Sequence, residues 1–241
     1  MDYFYTLPEL ISTSTLVVAG DEFKHLHKVL RKKAGDMIFI MDGMGTRYEC
    51  VIERIDRMQA ECSIIRSTRP ETEPEVEVTL AVALLRNPSR FDFLVEKTVE
   101  LGVKTIVPLK TKYTIPSGAR QQRWTQLAVA AMKQSGRVVL PKIESLTTFD
   151  QVLQRGADIK LIAHEKLDTA RRLAAVLTTE QTAQSLLILI GPEGGISVED
   201  VDLAAHQNCI PVSMGPRRLR TETAAIVSVA LCIFHRRGDA I

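Results

Sequence analysis

The sequence is sparing with the residues that build secreted or metal-dependent scaffolds. It has four cysteines in 241 residues, Cys50, Cys62, Cys209 and Cys232, and no C-x-x-C pair. That spacing supports neither a disulfide frame nor a structural zinc site, and it reads as buried thiols in a reducing compartment. The five histidines fall at no metal-ligand spacing, so no metal is expected. No apolar run approaches the roughly 18–20 residues of a membrane helix. The opening MDYFYTLPEL has neither the basic region nor the apolar stretch of a signal peptide. The expectation is a cytoplasmic chain with no membrane partner. Charge of one sign is also scarce. The formal net charge is +2, and residues 1–70 hold ten Lys/Arg against ten Asp/Glu. Such a balance argues against a protein that coats nucleic acid indiscriminately, and it leaves local basic surfaces open.

What is present is the ordinary balance of a globular protein, 45% hydrophobic and 25% charged. Two prolines and a charge cluster at 67–75 (STRPETEPE) interrupt the apolar pattern. They predict two domains, 1–70 and 74–241. The first has short strand-like segments at 16–18, 37–41, 47–55 and 60–65, separated by Gly-containing turns, the pattern of a small β-barrel. A helix is predicted at 21–32, with Phe23, Leu26 and Leu30 on one face and Lys24, Lys28, Arg31 and Lys32 on another. The second domain alternates strands (76–85, 105–109, 160–163, 186–190, 210–214) with helices (89–101, 121–135, 148–154, 169–177, 198–207, 221–236). Continuously apolar strands such as 186–190 suit a parallel sheet covered on both faces, hence an α/β fold.

Three strand ends carry candidate chemistry. LIGPEGG (189–195) is a buried strand running into a Gly-rich loop, with Ser197 placed to start a helix. It is not a Walker loop, because no Gly-Lys-Ser/Thr follows, and it lacks the G-x-G-x-x-G spacing. A backbone this free of side chains lets a ligand approach closely, although tight structural turns look the same. MGPRRLRTETA (214–224) sets three arginines within four residues before a helix that is apolar nearly all round. One reading is a solvated loop with Thr221 as helix cap; the other is a site for an anionic or uracil-like group. The third strand ends at His164. In a parallel sheet the three ends share one edge, where ligands of open α/β sheets bind. Elsewhere, Arg86 and Arg90 flank a predicted helix start. They read equally as phosphate-binding groups and as exposed charge.

Together, KTVELGV (97–103), AMKQSGR (131–137), LIGPEGG (189–195) and MGPRRLRTETA (214–224), with the basic LHKVLRKKAGD (26–36), resemble the bacterial ribosomal RNA uracil-N3 methyltransferases of the knotted SPOUT kind. The resemblance spans nearly the whole chain. Its last two motifs are specific in combination. It implies an N-terminal PUA-like barrel, a C-terminal trefoil-knot α/β domain, a homodimer, S-adenosyl-L-methionine as cofactor and 16S rRNA of the small ribosomal subunit as substrate. By motif match the cofactor-binding residues would be His164, Gly191, Glu193, Gly194, Gly195, Met214, Gly215, Leu219, Thr223 and Ala224. Arg220 would stabilise charge on the uracil and Glu222 would take the N3 proton. Lys24, Lys28, Arg31, Lys32, Arg86 and Arg90 would bind RNA. Arg218 stands where the family pattern has an aliphatic residue, and Ile196 where an aromatic is common. Two other enzymatic readings are methylation of a transfer RNA base and of a ribose 2′-OH. The competing class is a non-catalytic RNA-binding assembly protein, which would share the basic surfaces but lack a cofactor pocket.

Overall fold

A computed structural model describes residues 2–114, 120–164 and 169–235. The chain divides into two compact units: Met1–Glu73 with Val129–Leu140, and Pro74–Ala128 with Pro141–Ile241.

The first unit is one five-stranded sheet. Its strands are β1 (Tyr3–Tyr5), β2 (Thr15–Ala19), β3 (Met37–Met41), β4 (Arg47–Ile55) and β5 (Gln59–Thr68), in the spatial order β1-β3-β4-β5-β2. All pairs are antiparallel except β1 with β3. Alternation along β2 and β3 turns Leu16, Val18, Ile38 and Ile40 inward. They meet Phe4, Phe23, Leu26, Cys50, Ile52 and Cys62 in a single apolar cluster. The helix expected at 21–32 is shorter and differently wound. Helix α1 (Gly20–Lys24) gives way to a π-helical turn, His25–Val29, and ends there. Leu30 N–H donates to His25 O at 3.0 Å, five residues back, and Arg31 turns to φ 54°. A π turn is wider than an α turn, so Lys24, Lys28 and Arg31 do not stack as one α-helical stripe. Phe23 and Leu26 still reach the core, as the apolar spacing requires.

Two groups in this unit are held by buried or half-buried charge. Glu22 accepts from Lys133 Nζ at 2.5 Å and from Tyr5 N–H at 3.0 Å. Arg137, nearly fully buried, donates to Glu73 Oε2 from Nη2 at 2.6 Å and from Nε at 3.1 Å. Glu73 Oε1 also accepts from Val138 N–H and Val139 N–H. The AMKQSGR segment therefore supplies ion-pair anchors.

The second unit is an eight-stranded parallel sheet flanked by helices. Its strands are β6 (Glu77–Ala83), β7 (Thr105–Lys110), β8 (Lys142–Ile143), β9 (Thr147–Thr148), β10 (Ile159–Ala163), β11 (Arg171–Arg172), β12 (Ser185–Ile190) and β13 (Cys209–Ser213). The order is β11-β13-β10-β12-β6-β7-β8, with β9 also on β7. The helices are α2 (Pro88–Leu101), α3 (Gln121–Ser135, of which the residues from Val129 belong to the first unit), α4 (Phe149–Leu153), α5 (Leu173–Thr179), α6 (Val198–His206) and α7 (Thr221–Phe234). The apolar run Leu186–Ile190 is buried throughout, because the strand is covered on both faces. The helix expected at 169–177 starts later: a short strand, Arg171–Arg172, pairs with β13 first. Asn87 caps α2 by accepting from Ser89 N–H. Helix α7 packs on α2, β6 and β12, which buries Ala225, Val229, Cys232 and Ile233.

All four cysteines are buried. Burial pushes the Cys50 and Cys62 thiols up to about 12 and that of Cys209 up to about 11. Thiolate is the reactive form, and an unhindered thiol titrates near ~8.5. Ellman's reagent at pH 8 should therefore find almost no thiol in the native protein and four after unfolding in guanidinium. Rapid labelling of the native chain would contradict the packing.

Candidate functional site

Parallel register builds the site. In β12, Leu189 lies opposite Ile162 of β10, and Ala163 of β10 lies opposite Val212 of β13. Strands β10 and β12 therefore end level, β13 runs one residue further to Ser213, and the chain leaves them at His164, Gly191 and Met214. His164 N–H extends the ladder by donating to Val212 O at 3.0 Å. At this edge lies a cavity of about 490 Å³, within the size range of pockets for drug-sized ligands.

Among the residues named from sequence, His164, Gly191, Glu193, Gly194, Gly195, Met214, Gly215, Leu219, Arg220 and Ala224 line this cavity, and so does Arg90. Thr223 does not; it is exposed on the other side of the first turn of α7. Glu222 is buried and also absent from the lining. Arg86 is exposed just before α2. In the first unit Lys24, Lys28 and Arg31 are exposed, Lys24 pairs with Asp21 at 2.7 Å, and Lys32 pairs with Asp2 at 3.1 Å. Glu165, beside His164, lies outside the described residues.

Two glycines are required by geometry. A Cβ on Gly191 would come within 2.6 Å of Ile196 Cγ1 and 3.3 Å of the Gly195 carbonyl carbon. The loop therefore folds back on itself over a bare backbone. Gly215 sits at φ 121°, a region that side-chain-bearing residues rarely enter.

Sequence reasoning missed the tie between the two loops. Thr221 is not the cap of α7; Arg220 holds that position, with no side-chain hydrogen bond. The Thr221 hydroxyl donates instead to Gly191 O at 3.1 Å and is buried. A helix-start threonine gives no sequence signal of a partner 30 residues away. Ser197 does cap α6, accepting from Asp200 N–H at 3.1 Å. The rim adds Arg217 and Arg218, so among the described residues the lining holds four arginines and one acidic residue, Glu193.

Residues 72–233 match the model of the RNA methyltransferase domain, and residues 18–65 match that of the RNA methyltransferase PUA domain. The chain belongs to the RNA methyltransferase family. It is similar to the ribosomal RNA small subunit methyltransferase E of Bacillus subtilis, with 27% identity over 97% of this chain and 96% of that one. Among solved structures it resembles a ribosomal RNA small subunit methyltransferase E from Neisseria gonorrhoeae bound to S-adenosyl methionine. Identity there is 29% and the TM-score 0.86, over 95% of both chains. A Legionella pneumophila methyltransferase with bound cofactor SAM is 26% identical at the same TM-score, over 95% of this chain and 96% of that one. The RNA methyltransferase therefore has the fold class that the resemblance implied: a SPOUT α/β-knot domain with an N-terminal PUA-like module. Among the described residues no cluster of His, Cys, Asp and Glu could hold a metal, and no helix is long and apolar enough to cross a membrane.

The crowding at Gly191 has a measurable consequence. Gly191→Ala should destabilise the fold by about 1–3 kcal/mol, the usual cost of overpacking. For a chain of this size that lowers the thermal midpoint by several degrees. The double change Gly191→Ala with Ile196→Ala should recover part of the loss, because it removes the 2.6 Å approach. A single variant that melts with the wild type would show that the loop has room.

Proposed function

We propose that this chain transfers a methyl group from S-adenosylmethionine to N3 of a uridine in the RNA of the small ribosomal subunit, as a cytoplasmic homodimer. The observation that carries the reading is the cavity at the adjacent ends of β10, β12 and β13, walled by two glycine loops and rimmed by arginine.

The residues present fit the cofactor. Ile190, Val212, Leu219 and Ala224 give the cavity apolar walls, and the bare backbone of Gly191, Gly194 and Gly195 admits close approach. Ile196 also lies in the lining, so the family's aromatic is replaced by a residue that still contributes an apolar wall. The bound cofactor supplies an electrophilic sulfonium methyl. The rest falls to this chain. The imide N3 of uracil is protonated at neutral pH, so the site must favour loss of that proton and hold the resulting charge on the ring oxygens. Arg220 is placed for this, as an exposed guanidinium at the N-cap of α7 on the cavity rim. Thr221, tied to Gly191 O, fixes the residue next to it. Positioning of the two reactants accounts for a large share of the rate.

The assembly-protein alternative has no use for a cavity of this size lined by glycine backbone. The ribose and transfer RNA readings share the chemistry of the site and differ in substrate. Nucleoside mass spectrometry of ribosomal RNA from cells lacking the protein separates them: 3-methyluridine should disappear from small-subunit RNA. Its persistence would overturn the proposed reaction.

Two variants test the division of labour. Arg220→Ala should lower the single-turnover rate at saturating RNA and cofactor by about 10²–10³-fold, the range for losing one well-placed electrostatic donor. Cofactor affinity by calorimetry should change little, and Arg220→Lys should restore only part of the rate. A near wild-type rate for Arg220→Ala would leave it as an RNA-binding residue. Reversal of Lys24, Lys28 and Arg31 to Glu should weaken RNA binding and leave cofactor affinity intact. The log–log salt slope should fall by roughly one for each phosphate that the protein no longer neutralises. An unchanged slope would place the RNA surface elsewhere.

A further inference from the structure

We infer that Glu222 acts through Arg90: it holds this arginine on the rim of the cavity, where the guanidinium takes a backbone phosphate of the RNA beside the target base. The inference rests on the reading of the chain as a methyltransferase of ribosomal RNA.

Glu222 lies in the first turn of α7 and is only 8% exposed. Carboxylates are almost never buried this far unless paired. The pairing here is incomplete. Oε1 stands 3.6 Å from Arg90 Nε, an ion pair too long to count as a hydrogen bond. Oε2 is inaccessible to solvent and has no hydrogen-bond partner among the described residues. The positive end of α7 and the guanidinium each offset part of the cost of burial.

Arg90 sits in the first turn of α2, which packs on α7. Its side chain is 36% exposed and lines the cavity, whereas Glu222 does not. Glu222 is its ion-pair partner among the described residues. A guanidinium has five N–H donors in a rigid fork. The Nε edge faces Glu222 and leaves the remaining donors for a ligand. The rim also carries Arg217 and Arg220, with Glu193 the one acidic residue of the lining among the described residues. An anion relieves that repulsion, and RNA phosphate suits the fork of an arginine. Arg217, Arg218 and Arg220 are exposed residues of the loop before α7. Arg90 starts from a helix and leans on a buried carboxylate. It is thus ordered before RNA arrives and loses less freedom on binding.

The same geometry argues against Glu222 as the acceptor of the N3 proton. A general base must reach its proton at about 2.6–3.2 Å, and this carboxylate faces Arg90 outside the cavity lining.

The test uses the full chain, small ribosomal subunits that lack the modification, and Arg90→Ala, Arg90→Lys, Glu222→Gln and the double variant Arg90→Ala/Glu222→Gln. Unchanged cofactor affinity by calorimetry identifies the variants that keep the fold. Arg90→Ala should raise KM for the RNA substrate roughly tenfold, the scale of one charge-assisted phosphate interaction. Its single-turnover rate at saturating RNA should stay within about twofold of wild type, as expected when uniform binding is lost. Arg90→Lys should recover part of KM. Glu222→Gln should raise KM by a smaller factor, with an unchanged pH–rate profile, and should add nothing in the Arg90→Ala background. A merely structural role for Glu222 would not depend on Arg90 in this way. The inference is overturned if Glu222→Gln slows the saturated single turnover in both backgrounds and removes a limb of the pH profile. It is overturned equally if Arg90→Ala leaves KM unchanged. A wild-type chain that methylates no ribosomal RNA would instead overturn the functional reading beneath it.

Discussion

The register of three parallel strands is the constraint on which the site depends. Because β10 lies between β12 and β13 with a stagger of only one residue at its end, Gly191, His164 and Met214 leave the sheet close to one level. A slip of one residue in either pairing would reverse which side chains face each helical layer. It would also carry one loop away from the others. The slip is opposed by burial: Leu186, Leu187, Ile188 and Leu189 are each essentially inaccessible, so no face of β12 can be exchanged for another without exposing apolar surface.

On that base a few polar interactions set the detail. Thr221 joins the start of α7 to the carbonyl of Gly191. The loop after β12 and the start of the helix after β13 are therefore joined directly. That tie needs Gly191 to be bare, because the chain folds back against Ile196 and Gly195 at the same point. The strand register, the glycine and the threonine hydroxyl are thus one device, and each is idle without the others.

How much of this could be read in the sequence follows from the range of each interaction. Local patterns were legible. The apolar run at 186–190, the Ser197 cap and the two glycine loops are set by neighbours within a few residues, and they appear where the pattern placed them. The helix at 21–32 misled for a physical reason: apolar spacing locates Phe23 and Leu26 but does not distinguish an α turn from a π turn. The short strands β8, β9 and β11 have two residues each and exist only through their neighbours, so no periodicity could announce them. Pairings between distant segments were silent. Thr221 with Gly191, Glu222 with Arg90, and Glu73 with Arg137 join residues 30, 132 and 64 positions apart. The grouping of 129–140 with the first unit is likewise a property of tertiary packing.

The charge distribution gives the last step. The molecule is nearly neutral overall, so long-range attraction for RNA is weak and affinity must come from where cations are placed. Many are already answered. Lys133 and Arg137 bind Glu22 and Glu73, Arg155 binds Glu144, and Lys97 lies between Glu96 and Glu100. Around the cavity the described lining holds four arginines and one glutamate, and of these Arg90 is paired with Glu222. A concentration of cations at one place on a near-neutral protein suits an anionic ligand. On the proposed function, cations that coincide with the ends of the strands would bring the phosphate and the target base to one place.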